Sequence, residues 1–425
     1  GAVRRELSAR GFATTKRPGF GAKRNRLHGE MVVDPPPSST EPWCGRPPPL
    51  LAGASVAVIG AGIAGAATAR ALFDAGANVT LIDRRPATAG GASGTPAGIL
   101  QPRPLPFDAA GGGLFSAAYG HAAHFYDGID AAWLTKGVLV LGRDAADRAR
   151  YEHLPGGTAV DPDAASERAG LRLAEPGVWF GDGGLLDTQR VCAALSAGIE
   201  RWIADIAALT QADGSWQLRT ADSVAMFADA VVLAGGIETG ALGGYPHLGM
   251  VANRGQVTFH AASDATARLR TVLTFGGYLT PADAAGHVLG ATFDRLTDAR
   301  DDAWQAPRDA DDARNREALV ERLPGLADAL GPARGAWTGI RATTPDRLPL
   351  VGPVPDAPTP DAPLSWRPGL YTLSGLGSRG FLTAPLAGEI LAALMFGGPL
   401  PAPADAPQLM HPSRFRIRAL RKGRA

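Results

Sequence analysis

Apolar positions recur along this chain with two periods, and the switch between them predicts its elements. From Ser55 the run SVAVI is almost wholly apolar; a glycine turn follows, then an alanine-rich stretch, then a second apolar run, NVTLID. This pattern predicts a strand from Ser55, a helix over 64–75 and a strand over 78–83, together a βαβ unit. Short apolar runs predict further strands over 137–141, 230–234, 256–259 and 369–373, and longer mixed runs predict helices over 188–203 and 383–396. Between 303 and 330 the chain is charged and alanine-rich, which predicts a solvated helix around 313–322 with its charges facing water. Strands and helices are mixed throughout, so the fold class is α/β.

Ahead of this body the pattern is different. Residues 3–10 read as an arginine-bearing helix, and glycine punctuation with Leu27, Met31 and Val33 at alternate positions predicts a hairpin over 11–33, too small to fold alone. The prolines at 35–37, 42 and 47–49 disfavour helix and sheet and give a semi-rigid spacer, so a domain boundary belongs there. Opening at Gly1 inside a helix, the chain reads as part of something longer.

Composition narrows the function classes. With 425 residues, 45% of them apolar, two to three domains with a sizeable core are expected. Lys and Arg total 42 against 41 for Asp and Glu, so a polyanionic partner has to be met by local clusters. Cys44 and Cys192 alone exclude a disulfide framework and a cysteine zinc cage, and no apolar run reaches the ~18 residues of a membrane span. A cytoplasmic enzyme without membrane attachment is expected. His121, His124 and the other histidines show no ligand spacing, and no metal site is expected.

The strongest local signal is VAVIGAGIAG. Gly60, Gly62 and Gly65 follow an apolar strand and open a helix in the spacing of a dinucleotide fingerprint. Gly60 permits the tight turn, Gly62 lets the backbone approach a pyrophosphate, Gly65 allows close helix–strand packing, and the amides at Ile63 and Ala64 face the anion. Asp83, at the end of the second strand, is placed to accept hydrogen bonds from ribose hydroxyls; in front of Arg84 and Arg85 it disfavours a 2′-phosphate. The fingerprint alone does not separate FAD from NAD.

Three further segments carry a family resemblance. GGASGTPAGIL, with Ser93, Gly94 and Gly98, resembles the second FAD-contact loop of the D-amino-acid oxidase and glycine oxidase superfamily. DAVVLAGG, with Gly235, resembles its later cofactor-side strand, and YTLSGLGSRGFLTAPLAGEILA, with Gly375, Gly377, Ser378, Arg379 and Gly380, its C-terminal flavin-binding segment. The resemblance implies FAD, bound non-covalently because no cysteine follows Cys192. It also implies a Rossmann-like FAD-binding domain of the glutathione-reductase type (54–135, 183–245 and 338–403). Interleaved with it comes an α+β substrate domain of the D-amino-acid oxidase type (136–182 and 246–337), before a basic tail (404–425).

GGYLTP at Gly276, GIRATTPDRLPLVGPVP at Gly339, the Gly375 segment and the terminal RALRKGRA further resemble, over about 54–425, the oxidoreductase half of a family of bifunctional tRNA wobble-uridine-modifying enzymes. GFATTKRPGFGAKRNRLHGEM resembles the end of that family's methyltransferase half, which makes 1–33 a remnant of it and 34–53 the linker. The resemblance implies oxidation of a carboxymethylaminomethyl group on the anticodon uridine of tRNA, with release of glyoxylate. S-adenosylmethionine would bind upstream of Gly1, and the longer parent would also methylate. Arg341, in the GIR segment, would hold the substrate carboxylate by its guanidinium fork, with Tyr278 donating to the same group; Arg254 and Gln256 would shape the pocket near the cofactor without touching substrate. RNA phosphates would meet Arg414, Arg416, Arg418, Arg421, Lys422 and Arg424, or else Lys16, Arg17, Lys23, Arg24 and Arg26. An oxidase of free glycine, sarcosine or another small amino acid is the alternative, because fold alone does not separate the two.

Overall fold

The computed structural model describes residues 2–9, 12–19, 24–31, 42–244, 248–296, 302–356 and 365–423. It divides into two units, Gly1–Gly45 and Arg46–Ala425. In the first, a helix Ala2–Ala9 precedes the antiparallel strands Phe12–Pro18 and Asn25–Met31, paired from Phe12↔Met31 to Pro18↔Asn25. The expected hairpin is therefore present, whereas Lys23, residues 32–33 and the first part of the proline spacer (34–41) lie outside the described residues.

The second unit is organised by two sheets. A six-stranded sheet runs in the order Leu350–Pro355, Trp366–Ser374, Ala230–Leu233, Ser55–Ile59, Asn78–Asp83, Glu200–Ile203, parallel except at the Leu350–Pro355 edge. Its central strands, Ser55–Ile59 and Ala230–Leu233, read as continuous apolar runs because both faces are covered. Val56, Val58, Val79, Leu81 and Val232 pack with the helices Ile63–Asp74 and Gly380–Phe396. Ala57, Ile82, Val231 and Leu233 pack with Trp216, Leu218 and Ala228 of a three-stranded antiparallel sheet, 208–228. Successive side chains thus serve opposite cores, as period-two geometry requires.

A ten-stranded sheet builds the other half. Its long hairpin-like pair, Val251–His260 with Ala333–Thr343, joins through His287–Gly290, Tyr278–Leu279 and Val272–Thr274 to Trp133–Val140 and Gly177–Leu186. Against it lies the helix Asp309–Arg322, anchored by Asn315 Nδ2, which donates to Gln256 O at 3.1 Å.

Three expectations need correction. The helix over 188–203 stops at Leu195: Gly198 turns the chain at φ +74°, and Glu200–Ile203 joins the six-stranded sheet beside Asn78–Asp83. The charges of 303–330 do not all face water, since Asp311 is 1% exposed and paired with the fully buried Arg254. Nor is 404–425 a free basic tail. It forms the helices Ala406–Met410 and Arg414–Leu420, and the buried Arg414 donates to both carboxylate oxygens of Asp346 at 2.9 Å and to Leu348 O at 2.7 Å. Arg414 is thereby withdrawn from any external phosphate, and Arg424 lies outside the described residues.

This pair fastens the 343–348 loop, and it makes stability depend on acid. Burial would push the Asp346 carboxyl up; the Arg414 hydrogen bonds and charge, with the Leu348 amide and Arg418, overcome that and hold it at about 2. A carboxyl held below its unfolded value contributes stability that is complete above about pH 4 and is lost as pH falls toward the folded value. Asp346→Asn is expected to cost on the order of 2 kcal/mol at neutral pH in a urea titration, with the deficit shrinking as both proteins are titrated below pH 4. A deficit that stays constant down to pH 2 would refute this account.

Candidate active site

Where the strands of the six-stranded sheet end, the two sheets enclose a cleft of about 1430 Å³. One end is built from bare backbone. Gly60, at φ +109°, crosses so close to the neighbouring strand that a Cβ would stand 2.6 Å from Ala234 O. Gly62 begins the helix Ile63–Asp74 without a capping side chain of its own, and Ser93 Oγ accepts from Ile63 N at 2.9 Å in its place. A Cβ at Gly62 would meet that Oγ at 3.0 Å. The first turn of this helix therefore opens into the cleft with Gly60, Gly62, Ile63 and Ala64 on its wall, a cradle for an anion.

Asp83 lies beside this turn and accepts from Ala61 N at 2.7 Å and Arg85 N at 2.8 Å, which leaves acceptor capacity toward the cleft. Arg84 is engaged by Glu238 at 2.5 Å, and both line the same wall. With that guanidinium occupied and a carboxylate in front of it, the site suits an unphosphorylated ribose. Gly235 closes the wall from the end of Ala230–Leu233; Gly375, Gly377, Ser378, Arg379 and Gly380 approach from the start of the Gly380–Phe396 helix. The structure thus brings fingerprint and C-terminal segment, some 300 residues apart in sequence, to one cavity.

Gly65, Gly94 and Gly98 do not line the cleft. They are packing positions: a Cβ would meet Gly60 O at 1.7 Å, Ala89 O at 2.5 Å and Thr188 Cγ2 at 2.4 Å respectively. Arg254 and Gln256 do not line it either. Both are 0% exposed; Arg254 donates to Trp304 O at 2.7 Å and Ala306 O at 2.8 Å, and Gln256 to Asp312 at 2.7 Å. They hold the 304–308 segment from behind, while Trp304 and Gln305 of that segment face the cleft.

Also lining the cleft are Arg341 and Tyr278, on two strands of the ten-stranded sheet. Arg341 donates to Thr292 O at 3.1 Å and lies over the Phe293 ring at 5.6 Å. Among the described residues no carboxylate pairs with it. Burial pulls its pKa down, with Tyr278 acting weakly against this, yet an arginine stays charged at neutral pH. Burial likewise raises the Tyr278 phenol to about 12, which keeps it a neutral donor. A half-buried cation lacking a counter-ion suits an anionic ligand.

Room for that guanidinium comes from Gly255, whose Cβ would fall 2.0 Å from Arg341 Nη1. Gly255→Ala is expected to displace the fork and lower kcat/KM about tenfold while leaving bound cofactor in place. Steady-state kinetics beside the visible absorbance of the purified protein would check this; loss of the absorbance itself would point to a folding defect.

Several lining residues carried no sequence signal: Trp337, Gln305, Arg143 with its partner Asp147, Tyr151, and Arg103. Arg347 stood within the quoted TTPDRLP run without being singled out. Among the described residues no group of three or more His, Cys, Asp or Glu side chains converges as a metal site, and no helix is long and apolar enough to cross a membrane.

Against this geometry the likenesses to known proteins can be placed. The pattern of the FAD dependent oxidoreductase family matches residues 55–394. The tRNA 5-methylaminomethyl-2-thiouridine biosynthesis bifunctional protein MnmC of Chromobacterium violaceum is 37% identical over 454 residues, covering 99% of this chain and 68% of that protein. Its counterpart in Ectopseudomonas mendocina is 36% identical over 459 residues, covering 100% and 68%. Glycine oxidase from Geobacillus kaustophilus superposes with a TM-score of 0.66 at 22% identity, over 85% of this chain and 99% of that one. Glycine oxidase from Bacillus cereus gives 0.64 at 20%, over 81% and 95%; at such identities the likeness is one of fold.

Proposed function

The chain belongs to the FAD dependent oxidoreductase family and, within it, to the MnmC proteins of tRNA 5-methylaminomethyl-2-thiouridine biosynthesis; from that premise we propose how its cleft works. It is an FAD-dependent oxidoreductase of the D-amino-acid oxidase fold, acting on a CH–NH group in tRNA wobble modification. The substrate is the carboxymethylaminomethyl group on C5 of the anticodon uridine, with or without 2-thiolation, in effect a glycine joined to the base through nitrogen. Its oxidation gives a C=N bond whose hydrolysis releases glyoxylate and leaves the aminomethyl uridine.

The residues present fit FAD. Backbone at Gly62 and Ala64, beside Gly60 and Ile63, would take the pyrophosphate, Asp83 the adenosine ribose, and Gly375 to Gly380 with Gly235 the isoalloxazine side; these residues line one cleft, and a Cβ at Gly60, Gly62 or Gly375 would crowd its neighbours. When bound, the flavin supplies the two-electron acceptor for the CH–NH bond. The protein's own part is position. Arg341 takes the glycine-like carboxylate in its fork, Tyr278 donates to the same group, and the carbon between carboxylate and nitrogen is thereby fixed. The observation that carries this reading is Arg341 itself, a cation in the cleft for which the described residues provide no carboxylate.

We also read residues 1–33 as the end of a methyltransferase domain whose S-adenosylmethionine site lies in sequence preceding this chain, with cytoplasmic tRNA as the shared substrate. The test is anaerobic: tRNA bearing the carboxymethylaminomethyl group is expected to bleach the flavin and yield glyoxylate, and free glycine or sarcosine is not. Bleaching by free glycine with none by the tRNA would make the chain an amino-acid oxidase instead.

A further inference from the structure

Charge in the cleft does not balance. Asp147 engages Arg143 and Arg150, Glu238 engages Arg84, and Asp83 accepts from two backbone amides. Arg341 answers the substrate carboxylate. Of the other guanidiniums on the same lining, Arg85, Arg103, Arg347 and Arg379 remain without a carboxylate partner among the described residues, and the last three stand close together. The carboxylate closest to them in charge, Asp346, is taken by Arg414 and Arg418.

These three are held, not loose. Arg103 lies over the Phe115 ring at 4.3 Å and donates to Arg347 O at 3.2 Å, across 244 positions of sequence. Arg347 sits at φ +61°, a left-handed conformation that costs a non-glycine residue about 1 kcal/mol or more, on the loop that the Asp346–Arg414 pair fastens. Arg379 lies beside the Tyr151 hydroxyl, in the same lining as Tyr278 and Arg341. Burial, with Arg379 and Arg347 nearby, pulls Arg103 down to about 10, the mark of a cation short of a counter-charge. An exposed arginine kept in a strained backbone beside two others is arranged for an anion that presents several oxygens.

We infer that Arg103, Arg347 and Arg379 form a phosphodiester site that grips the RNA strand beside the modified uridine while Arg341 holds its carboxylate. The inference rests on the RNA substrate proposed above and moves strand recognition from the basic C-terminal segment to the cleft itself. A phosphate gripped there would hold the nucleotide flipped toward the flavin side, since two anchors on one nucleotide fix its orientation.

Arg347→Gly is the cleanest probe, because glycine is at ease in the left-handed region and removes the charge without burdening the fold. With the FAD-loaded full chain, kcat and KM are measured over a range of KCl for two substrates: carboxymethylaminomethyl-tRNA, and the free modified nucleoside, which carries no phosphate. For Arg347→Gly and Arg103→Ala, KM for tRNA is expected to rise about tenfold and its log–log salt slope to fall by about 0.7–0.9 per site, as for one phosphate contact released. KM for the nucleoside should move less than twofold, and Arg103→Lys should recover part of the tRNA effect. An equal rise for nucleoside and tRNA, or no change in the salt slope, would overturn the phosphate site. If the wild-type enzyme oxidised neither substrate, the substrate reading itself would have failed.

Discussion

Replacing Arg341 with alanine is expected to abolish oxidation of the tRNA substrate while leaving the flavin bound. The guanidinium is the group assigned to the reacting carboxylate, and in a largely buried site a bidentate charged contact contributes far more than it does in water. Loss of a thousandfold in kcat/KM, on the order of 4 kcal/mol, is the expected size. Arg341→Lys keeps charge but not the fork, and an intermediate loss is expected because a point charge cannot fix two oxygens at once. Since the Gly60–Gly65 cradle is built by other elements than the strand that carries Arg341, the visible spectrum of the purified variant should match the wild type. Wild-type kinetics in Arg341→Ala would remove the central residue of the mechanism. Loss of flavin would show instead that the side chain supports the fold.

Much of this site was legible because it depends on local chemistry. The Gly60, Gly62, Gly65 spacing declares itself wherever backbone has to touch backbone or a phosphate, and the two-sided burial of the six-stranded sheet writes its strands as apolar runs. What stayed illegible depends on parity and on distant partners. Arg254 and Arg341 lie on adjacent paired strands, yet Asn253 is opposite Arg341 and Arg254 is opposite Ile340. Gly255 therefore shares a face with Arg341 and the cleft, and Arg254 shares the other with Gln256 and the helix Asp309–Arg322. One step of register separates a substrate anchor from an interior strut, and no motif announces which is which. The Arg414–Asp346 pair spans 68 positions, so a basic run that looks free in sequence is tied down only in three dimensions. The helix over 188–203 was over-extended for a related reason: the pairing of Glu200–Ile203 with Asn78–Asp83 outweighs local helical preference.

The other large effect is expected at Gly65, and it tests the cradle in place of the anchor. This glycine does not line the cleft; its missing side chain is what lets the Ile63–Asp74 helix lie against the turn at Gly60. A Cβ would stand 1.7 Å from Gly60 O and 3.4 Å from Ala234 Cβ, and the first of these is backbone that has no rotamer to yield. Gly65→Ala therefore has to push the helix start away from the sheet, and with it the backbone cradle that faces the cleft. Overpacking of this kind costs ~1–3 kcal/mol in side-chain cores, and a backbone collision belongs at or above the upper end of that range. The variant is expected to purify with little or no flavin and to unfold at lower temperature, the flavin deficit persisting when FAD is added in excess. Gly120→Ala is the control: it lies exposed inside the helix Gly112–Asp127, nothing stands within 4 Å of its Cβ position, and alanine there should add up to about 1 kcal/mol of stability with flavin content unchanged. Equal flavin retention in the two variants would mean that the helix start can move without cost, and that the dinucleotide is held by something other than the Gly60–Gly65 turn.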